Sequence, residues 1–550
     1  MQTFKKHHND NSPARPTALA DRIVNASLLI LVAHFAFKLA GLIQYMVMGR
    51  LVDSAVLEPV YHVAFENVIF SFFLIGEEVI GPTFLPVFMR QKDEYGEAAS
   101  WAFANVVLSV QMLLLLGAVI CLVLFPSAIL EIILDWNPTD DPAKFGLARA
   151  ALTWLAPALI FLSLGSTTYM LLNGYKRFFL AAFGDASWKF FFAGAVAVGV
   201  GIMGWGYRCL IFGLLAGSAA KLVTHLFGLL KELRHFRFRI DLRSRPVRTM
   251  FYLMLPLIGG IVFAKFRDIF NNVYVLSATD TDGLIQANSF GRKLYTTVSW
   301  LIPYTLSIAM FPYLCEMVDR KDDAEFGRVL TTTSRMLLSV FIPVALVCTI
   351  VSEPVTALLF EGGEFDRQMT TWTSIAMASY TFVLPAAALE TVLMQGFFAH
   401  RRTFLITTIG IIFSFFSVLV SFTGINLLGY TGSIALAIVA LGFVASRTLK
   451  VLTLIFFIRR RTPDVLPWLS SLSLVLKTLA VGAFCTATAG IADHAFVTHV
   501  SAGRASYVLL ARLAVDGVAA GLIFIGATRL LGVKEPWQML HYLWQRVTRR

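Results

Sequence analysis

Apolar residues along this chain collect in runs of roughly 20 or more, the length a helix needs at 1.5 Å per residue to cross a ~30 Å hydrocarbon layer. The runs predict spans near 23–48, 59–88, 99–125, 148–173, 178–202, 207–230, 249–276, 284–314, 329–351, 369–398, 404–423, 430–457, 468–490 and 505–531. Strict apolar–polar alternation in ~10-residue segments, the mark of an outer-membrane barrel, is absent. A helix also satisfies its own backbone in lipid. The expected fold class is therefore all-α and polytopic, with about fourteen transmembrane helices. The stretch 353–398 leaves room for a short interfacial helix before its span.

The loops between the runs set the topology. One alternate set carries Arg90, Lys92, Lys176, Arg177, the basic run 231–248, Arg320, Lys321, Arg328, Arg401, Arg402, Arg459, Arg460 and Arg461. The other set carries only Arg50, Lys144, Arg208 and Arg504. Basic loops stay on the cytoplasmic side, so the first set and both termini are expected in the cytoplasm of a bacterial inner membrane. The acidic loops 135–141 and 277–283 fall on the outer side. Composition agrees: of 550 residues 57% are hydrophobic and 15% charged, where a soluble chain has near a quarter charged. The net charge of +12 sits in these loops, so no nucleic-acid partner is expected. The five cysteines have no metal or redox spacing and read as packing residues. Residues 1–22 read as a cytoplasmic tail rather than a signal peptide.

A repeat is visible. FLPVFMRQKDEYGEA (84–98) closes the second span, and MFPYLCEMVDRKDDAEFG (310–327) the eighth. NGYKRFF (173–179) closes the fourth and QGFFAHRRTF (395–404) the tenth. Pro86 and Pro312 lie 226 residues apart, Gly174 and Gly396 lie 222 apart. A duplicated six-helix unit follows, both copies in the same orientation. The expected organisation is an amino-terminal lobe over 23–230, a basic cytoplasmic linker at 231–248, a carboxy-terminal lobe over 249–461, two further spans over 462–531 and an amphipathic cytoplasmic tail at 532–550. The linker sets topology, with contact to anionic membrane lipids as the sharper reading.

Two parallel lobes about a central cavity is a transporter plan. Ionisable groups at membrane depth cost roughly 2.5–3.5 kcal/mol each unless hydrated or paired, and they concentrate in the spans that open each repeat. Span one carries His34 and Lys38; span two carries Glu66, Glu77 and Glu78; span seven carries Lys265, Arg267 and Asp268; span eight carries Arg292 and Lys293. Asp185 and Lys189 of span five have the i,i+4 spacing of a local pair. Arg335 and Arg512 lie near enough to span ends to snorkel, and His34 reads as a packed histidine. Lys38, Glu77, Lys265, Arg267, Arg292 and Lys293 are the expected lining of a hydrated, substrate-binding cavity suited to an anionic head group. No P-loop, GxSxG, HExxH or CxxC is present, so no catalytic residue, metal site or cofactor is assigned and no enzyme is expected. Transport would draw on Na+, H+ or the membrane potential.

These residues resemble the MviN/MurJ family of lipid II flippases, within the multidrug/oligosaccharidyl-lipid/polysaccharide exporter superfamily. The clearest stretches are EPVTALLFEGGEF (353–365) and LPAAALETVLMQGFFAHRRT (384–403), with MLPLIGG (254–260), FGRKLY (290–295) and VAFENVIFSFFLIGEEVIGPTFLPVF (63–88). The likeness runs over residues 23–460. It implies an alternating-access flippase that moves a polyprenyl-pyrophosphate-linked sugar, lipid II first, to the outer leaflet for peptidoglycan synthesis, beside cell-wall synthesis proteins. It also implies departures: the family's cavity arginines fall at Lys38, Gln44, Phe72 and Phe73, and its Asp-Arg pair in span eight becomes Arg292–Lys293. The family's acid of span two matches Glu77, and another falls near Glu58. With Glu58, Glu66, Glu78 and Asp268 as candidates for coupling or gating, four readings stay open: the lipid II flippase, an exporter of another lipid-linked glycan, a transport-inactive membrane scaffold, and a drug/cation antiporter that a cationic lining disfavours.

Overall fold

The computed structural model describes residues 38–136, 141–279, 281–400, 402–500 and 503–538; His34, both outermost tails and Arg401 lie outside them. Among the described residues, helix occupies every predicted span position. In the amino-terminal half these are α1 (38–51), α2 (Ser54–Leu57), α3 (Phe70–Leu124), α4 (Pro126–Ile133), α5 (Pro142–Gly174), α6 (Phe178–Gly199) and α7 (Arg208–Gly228). The carboxy-terminal half follows with α8 (Arg245–Ile269), α9 (Val275–Ser277), α10 (Leu284–Asp319), α11 (Asp323–Phe360), α12 (Arg367–Thr381), α13 (Leu384–Ala399), α14 (Thr403–Phe422) and α15 (Gly432–Arg459). Last come α16 (Trp468–His499) and α17 (Ser506–Leu530). Among the described residues, eight helices are long and apolar enough to cross a membrane, or ten if two bent pairs each count as one span.

Three boundaries differ from expectation. The second and third predicted spans form one helical run, Ser54–Leu124, turned back at Gly96, whose φ of 82° is open to glycine and strained for other residues. The ninth span extends to Phe360, and no separate interfacial helix follows it. A tight turn bridging Gly362 and Phe365 leads into α12 instead, and α12 and α13 form a pair bent by 44°. Span thirteen runs on to His499, because Asp493 in its last turns is neutralised by Arg512 of α17.

Between α2 and α3 the chain winds as a π-helix over Glu58–Ile69. With i→i+5 bonding, residues four apart nearly eclipse, so Glu58, His62 and Glu66 share one face. Such turns concentrate at functional sites.

The core explains how the halves meet. One buried cluster spans both halves at the end opposite the basic loops, drawing Met48, Leu57, Phe65 and Leu152 from one half and Phe290, Phe360 and Phe365 from the other. At the basic end the halves keep separate cores, Phe84, Phe88 and Trp101 in one and Phe326, Leu330 and Phe397 in the other. The start of α8 crosses over, seating Met250 in the amino-terminal core. The halves are thus sealed together at one end, and at the other share α8.

A cationic cleft between two half-molecules

The sealed end carries a polar lock between the halves. Glu58, buried to 1% exposure, pairs with Lys144 at 2.9 Å. Lys144 also reaches Asp282 of the other half at 2.6 Å and stands over the Trp136 ring. The backbone N–H of Gln286 donates to Glu58 at 3.4 Å. Arg50 donates to the Leu358 carbonyl at 2.8 Å, and its own carbonyl accepts from Glu364 N–H. Gly363 has to be glycine in this turn: a Cβ there would stand 2.0 Å from the Arg50 oxygen.

Behind the lock lies a group of lysines. A Cβ built on Gly41 of α1 would lie 2.7 Å from Nζ of Lys293 and 3.1 Å from Nζ of Lys189. The bare glycine backbone therefore makes room for two ammonium groups, one from each half. Lys38 lies one turn earlier on α1, half-buried, and its field reaches both. Lys293 also stands 5.0 Å over the Tyr45 ring. Glu66 faces the same region, accepting from Tyr45 at 2.5 Å and lying 2.7 Å from His62 Nδ1.

The carboxy-terminal half adds fixed positive charge. Arg267 donates twice to Asp268, at 2.8 and 3.1 Å, and Arg292 lies 3.6 Å from the same carboxylate. Arg267 and Arg447 approach the one ring of Phe443, at 5.1 and 5.7 Å. Arg447 and Lys450 of α15 share Glu390 of α13, the lysine at 2.7 Å. Arginine forks of this kind suit phosphate oxygens.

Of the predicted lining, Lys293 reaches Gly41 beside Lys189, Lys38 lies one turn earlier on α1 with its field on both, and Arg292 joins Arg267 at Asp268. Lys265 joins Glu78 across the halves at 3.0 Å. Glu77 lies apart from these, with Asp185 and Lys221 in the amino-terminal half: Lys221 Nζ is 2.7 Å from Asp185 and 4.0 Å from Glu77. The local Asp185–Lys189 pair expected from spacing gives way to this inter-helix pair, because Lys221 on α7 projects straight at α6. Arg335 is bound to Glu535 at 2.8 Å, and Arg512 to Asp493 and Glu353. At the positions of lost family arginines, Gln44 donates to Tyr61 and Phe73 receives Lys221 over its ring. Sequence reading missed Lys221, Glu390, Arg447 and Lys450 as site residues, although all lie in apolar runs at membrane depth. Applying the cost of buried charge to every span would have found them.

Glu77, Asp185, Asp268 and Arg292 each keep about a quarter of their side-chain surface accessible. Charged groups at this depth face water rather than lipid tails, so the space between the halves is a hydrated cleft, closed at one end. A two-lobed helical membrane protein with a charged cleft between its lobes has the plan of a membrane transporter.

The family model described as "Lipid II flippase MurJ" matches residues 50–509, and the chain belongs to that family. A probable lipid II flippase MurJ of Rhizobium meliloti (strain 1021) is 24% identical over 336 residues, 60% of this chain and 62% of that protein. The lipid II flippase MurJ of Burkholderia cenocepacia is 23% identical, over 66% of this chain and 71% of its own length. The match to the first thus spans less than two thirds of that relative. A solved lipid II flippase MurJ in an inward closed conformation superposes with a TM-score of 0.70 at 19% identity, covering 92% of this chain and 99% of that one. An inward-facing multidrug MATE transporter superposes at 0.65 with 12% identity, covering 78% of this chain and 95% of its own. At these identities the superpositions speak for the fold alone.

Proposed function

We propose that this protein is a flippase that carries lipid II, the undecaprenyl-pyrophosphate-linked sugar-peptide, from the inner to the outer leaflet of the bacterial cytoplasmic membrane for cell-wall synthesis. The basic loops face the cytoplasm in this reading, so the sealed end faces outward. One observation carries it: the Lys293 and Lys189 ammonium groups converge over Gly41, beside Lys38 and near Arg292. A dense positive site in a cleft fits a pyrophosphate, and the family likeness supplies its lipid carrier. The prenyl tail stays in lipid beside the cleft while the head group is held. Parting of the Glu58–Lys144–Asp282 lock then opens the cleft outward. No covalent bond is made or broken, and the cleft residues act by holding charge.

The test uses the purified full-length chain in liposomes and fluorescent lipid II, scored by the label accessible outside. The wild type is expected to move label, and K189Q/K293Q to slow it at least tenfold, since each charged hydrogen bond contributes about 1.5–3 kcal/mol. The reading fails if the wild type moves no lipid II, or if the double variant matches it.

A further inference from the structure

The amino-terminal half contains a second charged centre, one turn from Lys189 on α6, that the capture of a pyrophosphate does not use. Its deepest member is His225 of α7, fully buried. The ring fits because Gly184 of α6 has no side chain: a Cβ there would fall 2.2 Å from Nε2. Nε2 lies 3.1 Å from the Ala181 carbonyl oxygen, and Nδ1 lies 2.9 Å from the Gly165 carbonyl oxygen. Carbonyl oxygens only accept, so these two contacts are both satisfied by an imidazolium, which donates from both nitrogens.

The neutral ring is provided for as well. The Thr168 hydroxyl oxygen lies 3.1 Å from Nδ1 and 3.0 Å from each of the Leu164 and Gly165 carbonyls. With the imidazolium present, the hydroxyl donates to a carbonyl. When the proton leaves Nδ1, the hydroxyl turns and donates to the bared lone pair, while Nε2–H keeps Ala181. Neither state leaves a buried polar atom of this ring without a partner. A purely structural histidine needs one hydrogen-bonding state; this one has two, joined by the rotation of a hydroxyl.

The surrounding charges balance one of those states. The groups facing His225 are Lys221 one turn before it on α7, Asp185 on α6 one turn beyond Ala181, Glu77 on α3 through Lys221, and the Tyr169 ring of α5 at 6.1 Å. Arg177 closes the end of α7 by donating to the Gly228 carbonyl and pairing with Glu232. Glu77, Asp185 and Lys221 together carry one net negative charge, and an imidazolium brings the group to neutrality. Glu77 and Asp185 reach the water of the cleft, which gives the proton a path. Next along α3, Glu78 makes the ion pair to Lys265 of the other half. A net charge that changes beside Glu78 therefore changes the attraction between the halves.

We propose that His225 and Thr168, with the Glu77–Lys221–Asp185 group, form a proton-exchange site whose loading and unloading is coupled to the movement of the two halves; the coupling rests on the flippase reading, the site itself does not. Binding moves one proton from cleft water onto the Nδ1 lone pair, and release returns it.

The experiment uses the full-length protein in liposomes with 15N-labelled histidine rings, the His225 signals being those lost in H225Q. Between roughly pH 5 and 8, where histidines titrate, His225 is expected to pass from an imidazolium to a neutral ring protonated at Nε2. T168V is close in shape and removes the donor that the neutral ring needs at Nδ1, while the imidazolium keeps its two carbonyl acceptors. In it the imidazolium is expected to persist to about tenfold lower proton concentration, one hydrogen bond's worth. A His225 signal fixed in one state over that range, or unmoved by T168V, overturns the site. Lipid II movement is then followed under a pH gradient at clamped membrane potential. The wild-type rate is expected to follow the gradient, and H225Q and T168V to lose or displace that response. A response that both variants retain in full overturns the coupling. If the wild type moves no lipid II at all, the flippase reading fails, and the histidine spectrum still decides the site.

Discussion

The two halves of this molecule hold buried charge clusters at matching places with opposite net sign. Lys221 of α7 and Arg447 of α15 stand 226 residues apart, the same offset as Pro86 and Pro312. In the amino-terminal half the cation is a lysine shared by two acids, Glu77 and Asp185. In the carboxy-terminal half the acid Glu390 is shared by two cations, Arg447 and Lys450, and Asp268 is likewise shared by Arg267 and Arg292. The cause is local. At the 222-residue offset that relates Gly174 to Gly396 on α5 and α13, the position of Glu390 falls to Thr168, and Gly165 one turn before it lies against the Lys221 stem with an ideal Cβ 3.0 Å from Cε. With no acid on α5, the lysine draws its partners from α3 and α6. Arginine holds its charge at any ordinary pH, whereas lysine, histidine and carboxyl groups exchange protons. In the proposed reading the carboxy-terminal arginines are the fixed anchor side for the anion, and the Glu77–Lys221–Asp185 group is the adjustable side, able to change its charge.

The largest test of this contrast is stability. E390Q leaves Arg447 and Lys450 without their carboxylate in a buried site, and stranding buried charge costs roughly 3–5 kcal/mol. E77Q leaves Lys221 with Asp185 at 2.7 Å and is expected to cost under about 1 kcal/mol, the range of a weak ion pair. Thermal unfolding in detergent reads both. Equal losses would mean that the halves are energetically alike and the sign reversal is incidental.

Much of this architecture was legible in the sequence and part of the site was not, for a physical reason. Hydrophobic runs mark spans because the bilayer imposes one length on every helix, and predicted boundaries such as 178–202 and 207–230 lie within a few residues of α6 and α7. The Gly96 turn stayed inside a loop because a single positive φ ends a helix with no run of turn residues around it. Lys38, Arg292 and Lys293 could be singled out because membrane depth alone makes a charge conspicuous. Partnership could not be read the same way. Spacing favours i,i+4 pairs, so Asp185 points to Lys189, while its actual partner Lys221 is 36 residues on and defined by packing of α6 on α7. Gly41 carried no signal at all, since its role is the absence of a side chain where two lysines from different halves converge.

A smaller effect should divide the halves by substrate affinity. R292M removes a charge from the anchor side and is expected to weaken inorganic pyrophosphate competition against labelled lipid II by about tenfold, near the lower end for a charged hydrogen bond. E77Q removes a negative charge from the other side and should leave that competition within about twofold, or tighten it, because Glu77 is held toward Lys221 and Asp185. A loss in E77Q matching that in R292M would place the anion between the halves evenly, and the division into anchor and adjustable side would fall.

The smallest expected effect lies where the two halves touch through Glu78 and Lys265. Nearly half of the Glu78 side chain is exposed, so water screens the pair and its contribution to stability stays below about 1 kcal/mol. E78Q should therefore barely move the unfolding temperature. Its consequence is positional, because the pair joins α3 of the adjustable half to α8, the helix that already crosses into the amino-terminal core through Met250. Losing about 0.5 kcal/mol from one conformation alone shifts a two-state balance by roughly twofold. Distances between spin labels on the basic ends of the two halves would read that shift, as a twofold larger separated population in E78Q. A population unchanged by E78Q, with stability also unchanged, would assign the contact between the halves at that end to the apolar seat of α8 and leave the charges of the amino-terminal half no purchase on the movement.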